Sequence, residues 1–150
     1  MGIIRPEQRN YQPLDESDRD DYRPNSRMAF VIDTGDPPVR SLSFIFETCA
    51  PGDYIPLHTH TTDEAIIIEA GEAEVIIGDE THRVPAGSVV FVAAGTKHAS
   101  GNPTDKPVRA QGIFPTDLLD ITYLARNPAP GTEGMPPQPP VALDLRKLFD

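Results

Sequence analysis

From residue 40 to residue 114 apolar side chains keep returning at every second position, and this alternation constrains the fold more than any other feature of the chain. In "RSLSFIFE" (40–47) Leu42, Phe44 and Phe46 share one face of an extended strand, because successive side chains point to opposite faces. "EAIIIEAGEAEVIIGDE" (64–80) reads as two apolar runs around a glycine turn at Gly71, and "GSVVFVAAG" (87–95) and "VRAQGIF" (108–114) continue the pattern. Turns rich in Gly, Pro and Asp separate these runs, and helical periodicity is almost absent. The prediction is an all-β chain, an antiparallel sandwich or barrel.

With 150 residues and 38% hydrophobic content there is material for one core, so one domain is expected. The organisation reads as arm, body and strap. Residues 1–27 are dense in mixed charge and poor in aliphatics, which predicts an arm that is flexible by itself or packs, through Tyr11, Leu14 and Tyr22, on the body or a second copy. Residues 28–127 hold the β pattern. Residues 128–150 begin as a proline-rich, extended strap and end in "VALDLRKLFD", read as about two turns of helix with Val141, Leu145, Leu148 and Phe149 on one side.

The formal net charge is −10, and residues 28–127 carry most of it, with fourteen acidic side chains against six basic ones. Such a surface repels phosphate backbones and anionic lipid, so neither nucleic acid nor membrane is an expected partner. No apolar run is long enough to span a bilayer, and "MGIIRPEQRN" lacks the features of a secretory signal or a myristoylation site. A soluble, cytoplasmic protein is expected. Cys49 is the single cysteine, so no internal disulfide can form, and with nothing basic beside it in the sequence it reads as an inert strand-end thiol.

The chemistry concentrates in "GDYIPLHTHTTDE" (52–64). If residues 54–60 are extended, Tyr54, Pro56, His58 and His60 share a face, with the two imidazoles about 7 Å apart along the strand. Glu64 follows a short turn and can swing its carboxylate to the same point. A fourth candidate, His98, follows the Ala-Ala-Gly turn of "GSVVFVAAGTKHASGN".

Together these residues resemble the cupin superfamily. Its first motif is matched by Gly52, His58, His60, Glu64 and Gly71, and its second by Gly87, Gly95, His98 and Asn102, with Ala93 in place of the motif's proline. Three of the four histidines fall on the pattern; the other, His82, reads as a surface residue, and Asn102 as a turn residue. The resemblance covers residues 52–102 by motif and about 28–125 by strand pattern. It implies a double-stranded β-helix, or jelly-roll barrel, with His58, His60, Glu64 and His98 as metal ligands and a homodimeric assembly.

Three imidazoles and a carboxylate suit Fe, Mn, Ni, Co, Cu or Zn and are poor for Mg or Ca. One divalent transition ion per chain is expected, Fe first. Such an ion keeps open coordination positions, the mark of a catalytic rather than structural site. Phe44, Phe46, Ile66 and Ile68 are expected to line an apolar pocket, with Tyr54 and Gln111 as polar contacts. The first functional reading is a metal-dependent oxidoreductase of the dioxygenase type acting on a small organic molecule. The alternatives are a redox-neutral lyase or isomerase, with Glu64 as a possible catalytic base, and a non-enzymatic small-molecule binder. Acidic substrates are disfavoured because no arginine cluster lies near the motifs.

Overall fold

The computed structural model describes residues 2–150. The strands in chain order are β1 (Gln12–Leu14), β2 (Arg23–Ile32), β3 (Ser43–Cys49), β4 (His58–Thr59), β5 (Glu64–Ala70), β6 (Glu72–Ile77), β7 (Glu80–Pro85), β8 (Val89–Val92), β9 (His98–Gly101), β10 (Val108–Phe114), β11 (Leu118–Tyr123) and β12 (Val141–Asp144). They form two six-stranded sheets, ordered β1-β2-β3-β10-β5-β8 and β12-β11-β4-β9-β6-β7. Each registered strand pair is antiparallel. The all-β jelly-roll architecture read from the sequence is the observed one. No helix is long and apolar enough to cross a membrane among the described residues.

The alternation in sequence becomes the division between core and surface. Ile66 and Ile68 on β5, Val75 on β6 and Val90 and Val92 on β8 pack into one buried cluster with Cys49 and Val108. Full burial of each such aliphatic side chain stabilises the fold by roughly 1.5–3 kcal/mol. A second cluster joins Ile32, Phe114, Leu119 and Leu145. Gly71 turns β5 into β6 with φ of 81°, and a Cβ there would also press on the Pro107 carbonyl at 3.0 Å.

Both tails are built into the body. The arm contributes β1 to the edge of the first sheet, and Arg9 lies over the Phe46 ring, 3.6 Å from its centroid. Arg126 ties the arm to the strap: it pairs with Asp20 and donates to the carbonyls of Arg19 (2.9 Å) and Met135 (2.7 Å). The aliphatics missing from the arm are thus replaced by buried charge pairing. Residues 141–144 are a strand, not the start of a helix. They pair with β11, Leu119 opposite Leu143 and Ile121 opposite Val141, so the free edge of β11 satisfies their backbone groups. Asp144 then caps a single 3-10 turn, Leu145–Leu148, by accepting from the Arg146 amide.

Candidate metal centre

Four side chains from two sheets meet at one point. His58 opens β4 and His98 opens β9, and the two are direct cross-strand partners in the second sheet. His60 follows β4, and Glu64 opens β5 in the first sheet. One ligand atom from each of these four lies within 4.8 Å of all the others. Glu64 Oε2 is 2.9 Å from His98 Nε2 and 3.4 Å from His60 Nε2.

Backbone carbonyls set the direction of each ring. Nδ1 of His58 donates to Pro56 O (2.7 Å), that of His60 to Asp120 O (2.5 Å) and that of His98 to Thr96 O (2.9 Å). When that Nδ1 proton is the only one on the ring, the tautomer a metal-binding histidine requires, each Nε2 presents a lone pair inward. Three inward lone pairs and a carboxylate are all acceptors, gathered where His58, His60 and His98 are buried. A divalent cation satisfies that set.

Burial and the neighbouring imidazoles His98 and His60 push His58 down to about 3, so it stays neutral. For His60, burial is outweighed by the Glu64 carboxylate and the Asp120 carbonyl, which raise it. In the metal-free protein burial pushes Glu64 up, but the Nε2–H groups of His60 and His98, where protonated, donate to its carboxylate and hold it down at about 2. It is a weak base in this setting and a good anionic ligand.

Hydrogen bonds across the site hold its loops in place of the proline missing from the second motif. Asp63 accepts from the Ala94 amide at 2.8 Å, and the His60 carbonyl accepts from the Gly95 amide at 2.8 Å. Asn102 is fully buried and serves its turn, donating to the carbonyls of Cys49 and Lys106 and accepting from Thr104. His82 lies outside the site against Glu80.

The four-residue group opens into a cavity of about 730 Å³. Ile66 lines it; Ile68, two residues deeper on the same face, belongs to the closed hydrophobic cluster. Phe44 and Phe46 do not line it. The face of β3 that does is Ile45 and Glu47, and the two phenylalanines lie on the outer face, their rings 6.3 Å apart, with Arg9 covering Phe46. The alternation has the expected period but the opposite face points inward, and the arm supplies an outer cover that buries Phe46 as well. Tyr54 is also outside the cavity: its ring packs on Gly101, where a Cβ would come within 2.1 Å, and its hydroxyl reaches Glu74. The Gln111 side chain donates to Glu69 at 2.7 Å, away from the ligands, although the residue borders the cavity.

Several cavity residues carried no signal in the motifs. Asp120 holds His60 by its carbonyl and Thr61 by its carboxylate. Gly112 on β10 leaves room for Glu64. Tyr123 pairs with His58 in register and donates its hydroxyl to Asp18 at 2.7 Å. A polar residue within the apolar strand "LLDITY" and a glycine inside "VRAQGIF" are the only local signs of the first two. Cys49 has a basic neighbour after all, Arg23, but Asp21 and Glu47 take up that charge, and burial pushes the thiol up to about 12.

Residues 45–116 match the family model of the cupin domain. The fold is similar to solved structures of Bacillus subtilis oxalate decarboxylase. One is a single-residue variant (23% identity, TM-score 0.59, covering 66% of this chain and 28% of that one). Another comes from work on that enzyme's Mn(II) centres (23% identity, TM-score 0.60, the same coverage). At that identity the likeness is one of fold. Among curated proteins, 46 residues are 39% identical to the HTH-type transcriptional activator RhaR of Mannheimia succiniciproducens, covering 31% of this chain and 17% of that protein. The chain thus spans less than a third of the length of each of these relatives.

Proposed function

Because residues 45–116 are a cupin domain whose inward acceptors suit a cation, we propose that the protein is a metal-dependent enzyme acting on a small organic molecule, an oxidoreductase of the dioxygenase type. His58, His60, Glu64 and His98 would hold one divalent transition ion per chain, Fe first, with Mn, Ni, Co, Cu or Zn as alternatives. Such an ion, when bound, supplies Lewis acidity and, if redox-active, electron exchange with dioxygen.

The observation that carries this reading is the cavity beside the four residues. Phe30, Ile45, Ile66 and Phe114 give it apolar walls, and no lysine or arginine is among its lining residues. An apolar chamber next to an acceptor cluster suits an uncharged substrate and oxygen chemistry. A dianion such as oxalate has no cationic side chain to meet it here, so the activity of the fold neighbours is not carried over.

A redox-neutral lyase or isomerase is the second reading, favoured by the hydrogen-bonded Tyr123 and Asp18 in the same cavity, which can hold or pass a proton. We place the protein in the cytoplasm as a homodimer. The outer face of the edge strand β8, with Phe91 79% and Val89 51% exposed, supports a subunit contact there.

Oxygen uptake by the Fe(II)-loaded full chain, offered uncharged diketone, catechol or thiol substrates, tests the proposal. Substrate-dependent uptake, with dioxygen atoms found in the product, is the expected result. Turnover that persists without air and with Zn or Ni would redirect it to the second reading, and binding without turnover would make the protein a small-molecule binder.

A further inference from the structure

The N-terminal arm does more than cover the first sheet. Asn10, Gln12, Ser17, Asp18 and Asp21 all border the metal-facing cavity, so one of its walls is built from outside the matched domain. Hydrogen bonds to Asp18 define the chemistry of that wall. Tyr123, 94% buried, donates its hydroxyl to Asp18 Oδ2, so its oxygen can only accept from a guest. Asp18 Oδ1 accepts from the Asp20 amide at 2.9 Å and from the Gln138 side-chain amide at 3.4 Å, and no lysine or arginine pairs with Asp18 among the described residues. Asp21 and Glu47 border the same cavity, and Arg23 bonds to both from outside its lining.

Resting on the metal-enzyme reading, we infer that the Tyr123–Asp18 pair is a substrate-recognition subsite that accepts hydrogen bonds from an alcohol or amine group and rejects a carboxylate or phosphate. The substrate class is then an uncharged or cationic molecule with two ends, an oxygen donor for the metal site and an O–H or N–H donor for the arm. The arm is the specificity element, and its removal would leave the four ligands in place while opening this wall. A fixed acceptor pair discriminates in this way because an O–H or N–H donor completes it, whereas an anion placed against the Asp18 carboxylate meets like charge.

Three benzohydroxamates with a common metal-binding head and different para tails, aminomethyl, hydroxymethyl and carboxylate, test this in the Co(II)-loaded full chain. The visible Co(II) spectrum reports the head, and calorimetry reports affinity. The expected result is a shifted spectrum with all three and about tenfold tighter binding of the aminomethyl and hydroxymethyl probes than of the carboxylate. Asp18→Asn is expected to shrink the aminomethyl preference to about threefold or less, and Tyr123→Phe to weaken the hydroxymethyl probe while sparing the carboxylate one. The inference is overturned if the wild-type protein binds the carboxylate probe as tightly as the others, or if folded Asp18→Asn keeps the full preference. A Co(II) spectrum indifferent to all three heads overturns the metal-enzyme reading and this inference with it, an outcome distinct from equal binding with a shifted spectrum.

Discussion

Gly112 faces Glu64 so closely that a Cβ on the glycine would lie 2.9 Å from Glu64 Oε1. The space for the carboxylate is made by the absence of a side chain on the neighbouring strand. Gly112 has no positive φ, so alanine is compatible with its backbone and the contact alone is at issue. Gly112→Ala is expected to keep the β fold, to cost about 1–3 kcal/mol from overpacking, and to weaken Zn binding by about tenfold or more in a calorimetric titration. Unchanged affinity would mean that Glu64 is not confined there.

Asp120 positions His60 from behind and fixes Thr61 with its carboxylate. Asp120→Ala leaves the carbonyl but frees the turn, so metal affinity should fall by about 10–100-fold, the usual cost of losing a group that orients a ligand. His60→Ala removes a ligand itself and should abolish stoichiometric metal with the strand cores intact. Circular dichroism and metal titration of both variants check the contrast.

The metal-free protein should lose stability as pH falls from neutral. His58 has its ordinary value of 6.5 when unfolded and about 3 when folded, so between these pH values the unfolded chain binds the extra proton and unfolding is favoured progressively. Glu64, depressed from 4.5 to about 2, acts in the same direction over a lower window, its contribution present above 4.5 and lost as pH falls through about 2. His60, raised, contributes stability below 6.5 that is lost at higher pH and so blunts the first part of the decline. The melting temperature should drop by about 4–8 °C or more between pH 6.5 and pH 4. His58→Gln should flatten the part of that drop above pH 4.5.

Arg126 bonds to the arm, the strap and the buried Asp20 together. Arg126→Ala would leave the buried Asp20 carboxylate only the Gln138 amide at 2.9 Å and Arg19 at 3.8 Å, a loss of about 2–3 kcal/mol in urea unfolding. Limited proteolysis should then cut within residues 128–140, which the wild-type protein protects.

The sequence was most legible where chemistry is local. The period-two runs and the spacing of His58, His60, Glu64 and His98 announce the sheets and the convergent group, because each depends on strand geometry over a few residues. Which face points inward was not legible for Phe44 and Phe46, since alternation gives two faces and the arm makes both partly buried. The strand at Val141–Asp144 was hidden for a related reason: its conformation is set by the open edge of β11, twenty residues earlier, and not by its own pattern. Tyr123, Asp18 and Gly112 act through contacts between distant segments, which leave no spacing to read.

The central claim is that three imidazoles and one carboxylate, drawn from both sheets, hold a single transition ion. Metal analysis of untagged wild-type and His98→Ala proteins, purified side by side and reloaded with Fe(II), Mn(II) or Zn(II), addresses it most directly. The account predicts about one ion per wild-type chain and less than about a tenth of that in the folded variant. A wild-type chain that takes up no ion, or a His98→Ala chain that keeps its full complement, would contradict it.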